Sequence, residues 1–257
     1  RPAWAILDGY SYGVGMQRAG RASGARIAVI DDDAAVGEYV AELVVDPNVF
    51  AEASRYEDRA EYTRVLAGPR YALLRREIVG EPLPVERTSV GDRLLATFGG
   101  ADPARVSELF LVAVRGLPVA ATLVVGAANP RVREIETLAM QTPNVRVVYD
   151  ATDMRTHYAC ADFAIAAAGG TCFELAFMGV PALVVVTAAN QRRVAEGFSS
   201  RGAARSLGDT TGVNEETMRG EISALLNDPA ARGEMSSRAR AIVDGQGAGR
   251  VVAAMLE

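Results

Sequence analysis

The segment Ala161-Asp162-Phe163-Ala164-Ile165-Ala166-Ala167-Ala168-Gly169-Gly170-Thr171-Cys172-Phe173-Glu174-Leu175-Ala176-Phe177-Met178-Gly179-Val180-Pro181 carries the sharpest local signal in the chain. Its apolar run over 163–168 is short and ends at two glycines, which reads as a buried strand followed by a sharp turn. A helix is expected from Thr171, stopped by Gly179 and Pro181. The first amides of such a helix are unpaired and partly positive, so a phosphate can sit there without a lysine. Glu174, one turn in, is placed to accept hydrogen bonds from a ribose diol. A strand-to-helix turn of this kind also occurs for structural reasons alone, so the two readings stay open on this segment.

Working outward, strands and helices alternate on both sides. Downstream of residue 91, strands are expected over 93–98, 119–125, 145–148, 163–168 and 182–186. Helices are expected over 104–115, 132–140, 152–160 and 192–201, with two more near 214–226 and 229–244. Upstream, strands are expected over 3–7, 26–30, 43–45 and 65–67, with a helix over 12–23 and a surface loop or short helix over 56–62. Residues 80–91, with Pro82 and Pro84 and few apolar side chains, read as a linker. The expected domains are 1–84 and 91–257, each built of right-handed parallel βαβ units. Because the chain begins with Arg1 close to a strand, the first domain is expected to lack its first strand-helix unit.

Composition narrows the function class. The chain has 257 residues, 49% hydrophobic and 23% charged, enough for two ordinary α/β domains with real cores. A net charge of -5, with arginines mixed among acids, argues against a nucleic-acid partner. Neither a membrane span nor a signal peptide is visible, and the cytoplasm is the expected compartment. The two cysteines, Cys160 and Cys172, have no zinc or disulfide spacing.

The expected chemistry sits where strands end. Asp8-Gly9-Tyr10 follows the first strand, and Asp8 reads either as a helix cap or as a site acid. Asp31-Asp32-Asp33 reads as a solvated capping cluster rather than a metal site. In the second half, Gly99-Gly100-Ala101-Asp102, Gly169-Gly170-Thr171 and Ala189-Asn190-Gln191 should open at one sheet edge, and that convergence suits a diphosphate. No GxGxxG and no GxxxxGK[ST] loop stands after a strand, which moves NAD and ATP down the list. His157, the one histidine, lies mid-helix and reads as structural, and Cys172 reads as small buried filler. No cofactor and no metal is expected.

Six segments together resemble a known series: Ile6-Leu7-Asp8-Gly9-Tyr10, Val29-Ile30-Asp31-Asp32, Leu66-Ala67-Gly68-Pro69-Arg70-Tyr71-Ala72-Leu73-Leu74-Arg75-Arg76-Glu77, Thr97-Phe98-Gly99-Gly100-Ala101-Asp102-Pro103, Ala168-Gly169-Gly170-Thr171-Cys172-Phe173-Glu174 and Asn190-Gln191. The series is similar to the PseG/SpsG family of UDP-sugar hydrolases and, more distantly, to MurG-type GT-B glycosyltransferases. The resemblance implies an α/β GT-B fold, two Rossmann-like domains with a nucleotide-sugar cleft between them. It implies UDP-sugar as substrate and UDP as product. It also assigns Glu174 to the ribose, Gly170 and Thr171 to the diphosphate, and Gly99 and Gly100 to the floor; Gly169, in the same turn, is counted with the nucleotide-binding residues. Tyr10 and Asn190 are assigned to the sugar and an attacking water, and Asp8 is a further candidate to position that water. The family's Gly-x-Gly-His-x-x-Arg segment, which carries its histidine, has no counterpart among these residues. Hydrolysis at the anomeric carbon is the expected reaction. Transfer to a sugar or lipid acceptor, and nucleotide-sugar binding without catalysis, are its rivals.

Overall fold

Residues 3–9, 11–34, 37–80 and 90–257 are described by the computed structural model. They fall into two units, Arg1–Leu74 joined by Asp244–Glu257, and Arg75–Val243. The expected division at 84–91 therefore differs at two places: the second unit starts at Arg75, and the last helix belongs to the first unit. Most of the expected linker, 81–89, lies outside the described residues.

In the first unit β1 (Trp4–Asp8), β2 (Arg26–Ile30), β3 (Leu43–Asp46) and β4 (Arg64–Ala67) form a parallel sheet in that order, with α1 (Val14–Ala22) between β1 and β2. Side-chain alternation sorts the core onto two faces. Ile27, Val29 and Val44 pack with Tyr39 and Tyr56 on one face, and Ala28, Leu43, Val45 and Leu66 form the other.

A polar network closes the carboxyl ends of β2 and β3. The Tyr39 hydroxyl donates to Asp31 at 2.5 Å, the Tyr56 hydroxyl donates to Asp46 at 2.9 Å, and Arg55 donates to Asp46 at 3.0 Å. Two expectations are corrected here. Asp31 is 6% exposed, held among donors rather than solvated, and Tyr56 is buried rather than on a surface loop. A buried carboxylate costs free energy unless donors surround it, and the two tyrosines and Arg55 supply them. Burial still raises Asp46 above the ordinary carboxylate range, against the pull of those donors.

The second unit alternates strictly: β5 (Arg93–Thr97), α2 (Val106–Val114), β6 (Ala120–Val125), α3 (Val132–Met140), β7 (Val145–Tyr149), α4 (Met154–Cys160), β8 (Phe163–Ala167), α5 (Thr171–Met178), β9 (Ala182–Val186), α6 (Arg192–Ser200) and β10 (Arg205–Asp209), then α7 (Glu215–Leu226) and α8 (Pro229–Arg240). All six strands are parallel, in the order β10-β9-β8-β5-β6-β7. The chain builds β5, β6 and β7 outward, then returns to the other side of β5 with β8. At such a reversal the flanking loops diverge and leave a crevice beyond the carboxyl ends of the two central strands. β8 and β9 are buried along their whole length, which explains why both read as unbroken apolar runs.

Two elements escape the sequence reading, β10 and α9 (Gly247–Leu256). β10 has a single apolar side chain, Leu207, and its pairing with β9 shifts register between Ser206 and Gly208. α9 opens Gly-Ala-Gly, and the two glycines are poor helix formers. It is held instead by packing, Val251, Ala254 and Met255 lying against the β2–β4 face, and by the Trp4 indole N–H donating to the Met255 carbonyl at 3.1 Å. No helix among the described residues is long and apolar enough to cross a membrane.

Candidate functional site

In the second unit the strand order brings three turns together, because β5, β8 and β9 are neighbours and end at the same edge. The first turn leaves β5 through Gly99, whose φ of +85° is a conformation that side chains resist. Gly100 follows, exposed, with its backbone resting against Gly126 in the loop after β6.

The helix after this turn is already capped. The Asp102 carboxylate accepts from the Val106 and Ser107 amides at 3.0 and 2.8 Å, and Arg131 donates to the Asp102 carbonyl. α2 therefore presents no open helix start at this edge.

The turn after β8 is the open one. Gly170 stands at the cap position of α5 with no side-chain cap, and it is exposed. Among the described residues the Gly170 and Thr171 amides meet no protein acceptor, while the amides of Cys172 and Phe173 bond back to the Gly169 and Gly170 carbonyls. Those two donors, with the dipole of the helix behind them, form a place for a negative charge.

Beside it lies the turn after β9. Gln191 Oε1 accepts from the Thr187 amide and hydroxyl at 2.9 and 3.0 Å, leaving its Nε2 3.6 Å from where a Cβ on Gly169 would sit. Asn190 is exposed on the same short 3-10 turn, Ala189–Gln191.

Glu174 is one turn into α5, and its carboxylate is engaged. Arg75 grips it side-on, Nε to Oε1 at 2.7 Å and Nη2 to Oε2 at 2.9 Å, and the Tyr158 hydroxyl donates to Oε2 at 2.7 Å. Tyr158 is 1% exposed on α4, and burial, reinforced by the Glu174 charge, holds its phenol far above the ordinary range. It is therefore a donor at any working pH. The hydrogen bond to Glu174 likewise raises Arg75 above an ordinary guanidinium.

Sequence reasoning passed over Arg75 and Tyr158. Arg75 stood inside the Tyr-Ala-Leu-Leu-Arg segment, and Tyr158 beside a histidine that drew more notice.

The remaining candidates divide. Asp8 is exposed at the end of β1 in the first unit and caps nothing on α1, whose cap residue is Gly13. Tyr10 lies outside the described residues. His157 lines a small cavity with Arg93, Thr122 and Cys160. Arg93 opens β5, so that cavity is at the edge opposite the glycine turns. Burial pushes the Cys172 thiol up to about 12, which leaves it protonated and unreactive.

A family model described as the glycosyltransferase family 28 C-terminal domain matches residues 98–248, the stretch that holds all three turns. The chain belongs to this glycosyltransferase family.

As a family 28 chain it is 28% identical over 195 residues to the spore coat polysaccharide biosynthesis protein SpsG of Bacillus subtilis (strain 168), a match that takes in 74% of this chain. It spans 58% of that relative's length. The MurG crystal structure from Acinetobacter baumannii is similar at a TM-score of 0.67 and 20% identity, covering 99% of this chain and 74% of the other. A Staphylococcus aureus structure described as an MnaA-UDP co-structure is similar at a TM-score of 0.69 and 16% identity, covering 98% and 74%. The fold is α/β of the GT-B type, and the SpsG- and MurG-like resemblance of the sequence is borne out.

Proposed function

We propose that this chain binds a UDP-sugar at the carboxyl edge of its second sheet and cleaves the bond between the anomeric carbon and the diphosphate, passing the sugar to an acceptor. The observation that carries this reading is the uncapped start of α5, where two amides lie at the strand-order reversal. Membership of a glycosyltransferase family and the likeness to SpsG support it. In the proposed pose the Gly170 and Thr171 amides meet the diphosphate, Gly99 and Gly100 line its floor, and Glu174 accepts from the ribose.

Departure of UDP builds negative charge on the diphosphate and positive charge on the sugar ring. Donors already aimed at the first charge lower the barrier without reorganising as it forms. The incoming nucleophile must be oriented and lose a proton to a base within about 3 Å. The family resemblance assigns Tyr10 and Asn190 to the sugar and that nucleophile, and Asp8 is a further candidate to position the nucleophile.

A second reading, with water as the acceptor, is favoured by one observation: the match to SpsG spans most of this chain, and the sequence resembles hydrolases of that family. Incubation with UDP-N-acetylhexosamines, with and without candidate sugar and lipid acceptors, separates the two. Free sugar formed at equal rates either way supports hydrolysis, and product seen only with an acceptor supports transfer. The site itself is tested by titrating UDP against Glu174→Ala. Loss of a charged hydrogen bond should weaken binding by about ten- to a hundredfold, and unchanged affinity would refute the assignment.

A further inference from the structure

The hydrogen bonds on Glu174 can be counted. A carboxylate offers about four acceptor positions, two on each oxygen. Oε2 takes Arg75 Nη2 and the Tyr158 hydroxyl, so both of its positions are used, whereas Oε1 takes Arg75 Nε alone. One acceptor position remains, and it is on Oε1.

We infer that Arg75 and Tyr158 are positioning residues that restrict Glu174 to a single ribose hydroxyl, so that the carboxylate reads one end of the diol rather than both. The inference rests on the proposed assignment of Glu174 to the ribose. Several features keep the restriction in place. A guanidinium bound side-on through two parallel bonds gives a stronger and more directional contact than a neutral hydroxyl. The Glu174 side chain is 11% exposed, so water competes poorly for Oε2. Tyr158 is buried and neutral, and its hydroxyl has the carboxylate as its partner at 2.7 Å. The segment that carries Arg75 is tied down in turn, since Arg155 of α4 donates to the Gly80 carbonyl at 2.9 Å.

The test is calorimetric titration with UDP, 2′-deoxy-UDP and 3′-deoxy-UDP. In the unaltered chain one deoxy analogue should bind about tenfold or more weaker than UDP, and the other within about threefold of it. Tyr158→Phe vacates a position on Oε2, so the second analogue should then also lose affinity relative to UDP. Arg75→Lys, which keeps the charge and gives up the side-on grip, should do the same and stands in if the tyrosine variant does not fold. A merely structural role would weaken all three ligands in proportion and leave their ratios alone, and that result overturns the inference. So does an equal loss for both deoxy analogues in the unaltered chain, or no loss for either. Failure to bind UDP at all would overturn the proposed function as well, whereas UDP binding with unselective ribose recognition overturns this inference alone.

Discussion

A Cβ on Gly126 would lie 2.6 Å from the carbonyl oxygen of Gly100. The loop after β6 therefore supports the turn after β5 by backbone contact, with no room for a methyl group between them. Gly126→Ala must push the Gly99-Gly100 turn away, and overpacking of this kind costs about 1–3 kcal/mol. We expect reduced stability in urea together with weaker UDP binding. Gly233→Ala, in α8 with nothing within 4 Å of the new methyl, should gain up to about 1 kcal/mol and leave UDP binding untouched. If both variants bind UDP as the unaltered chain does, the turn is not part of the site.

Asp102 caps α2 through two amides. Asp102→Ala should cost about 1 kcal/mol of stability, read as a fall in Tm. Because this helix start is closed in the native chain, UDP affinity should stay the same. A marked loss of affinity would mean that Asp102 positions the glycine turn as well as the helix.

The two thiols should separate sharply. Cys160 is exposed, and Cys172 is buried with its thiol at about 12. Titration of the folded chain with an aromatic disulfide reagent at pH 8 should count one fast thiol, and the second only on unfolding. Rapid reaction of both would show that the start of α5 opens readily.

Asp244 and Arg250 pair twice, at 2.8 and 2.6 Å, and Arg250 also donates to the Arg70 carbonyl at 2.8 Å. The pairing holds Asp244 down at about 2. Its pKa is lower folded than unfolded, so its contribution is fully present above the ordinary aspartate range and is lost as pH falls toward 2. The side chain is 46% exposed, which limits the contribution to under about 1 kcal/mol. Urea unfolding between pH 5 and 2 should show a shallower acid limb for Asp244→Asn, with the two proteins converging at the acid end. Parallel limbs would rule out the pair as an anchor for α9.

Much of the second unit is legible in the sequence because its central strands are covered on both faces. Phe163–Ala167 and Ala182–Val186 are unbroken apolar runs, and each is followed by a turn. The three turns were legible too, since glycine and asparagine punctuate strand ends. Side-chain partnerships between distant segments were not. Nothing local in Arg75 or Tyr158 announces that both close on Glu174, 99 and 16 residues away. Asp102 reads equally well as a turn residue and as a cap, and only the direction of its carboxylate decides. Tyr56 and Asp31 misled for the same reason, their burial being created by each other and by Asp46. α9 is a helix by virtue of the sheet face it covers, and a one-dimensional pattern does not contain that face.

Residues 244–257 return to the first unit. Trp4 donates to the carbonyl of Met255, a closure across 251 residues, and Arg26 reaches the same oxygen at 2.9 Å while stacking on the Trp4 ring. Contacts so distant in sequence form late and slow the folding that depends on them. A chain emerging from the ribosome can assemble Arg75–Val243 as an independent body while its own amino-terminal sheet still waits for the residues that cover it. Trp4, the one tryptophan, sits at that closure and gives a fluorescence signal for its last step.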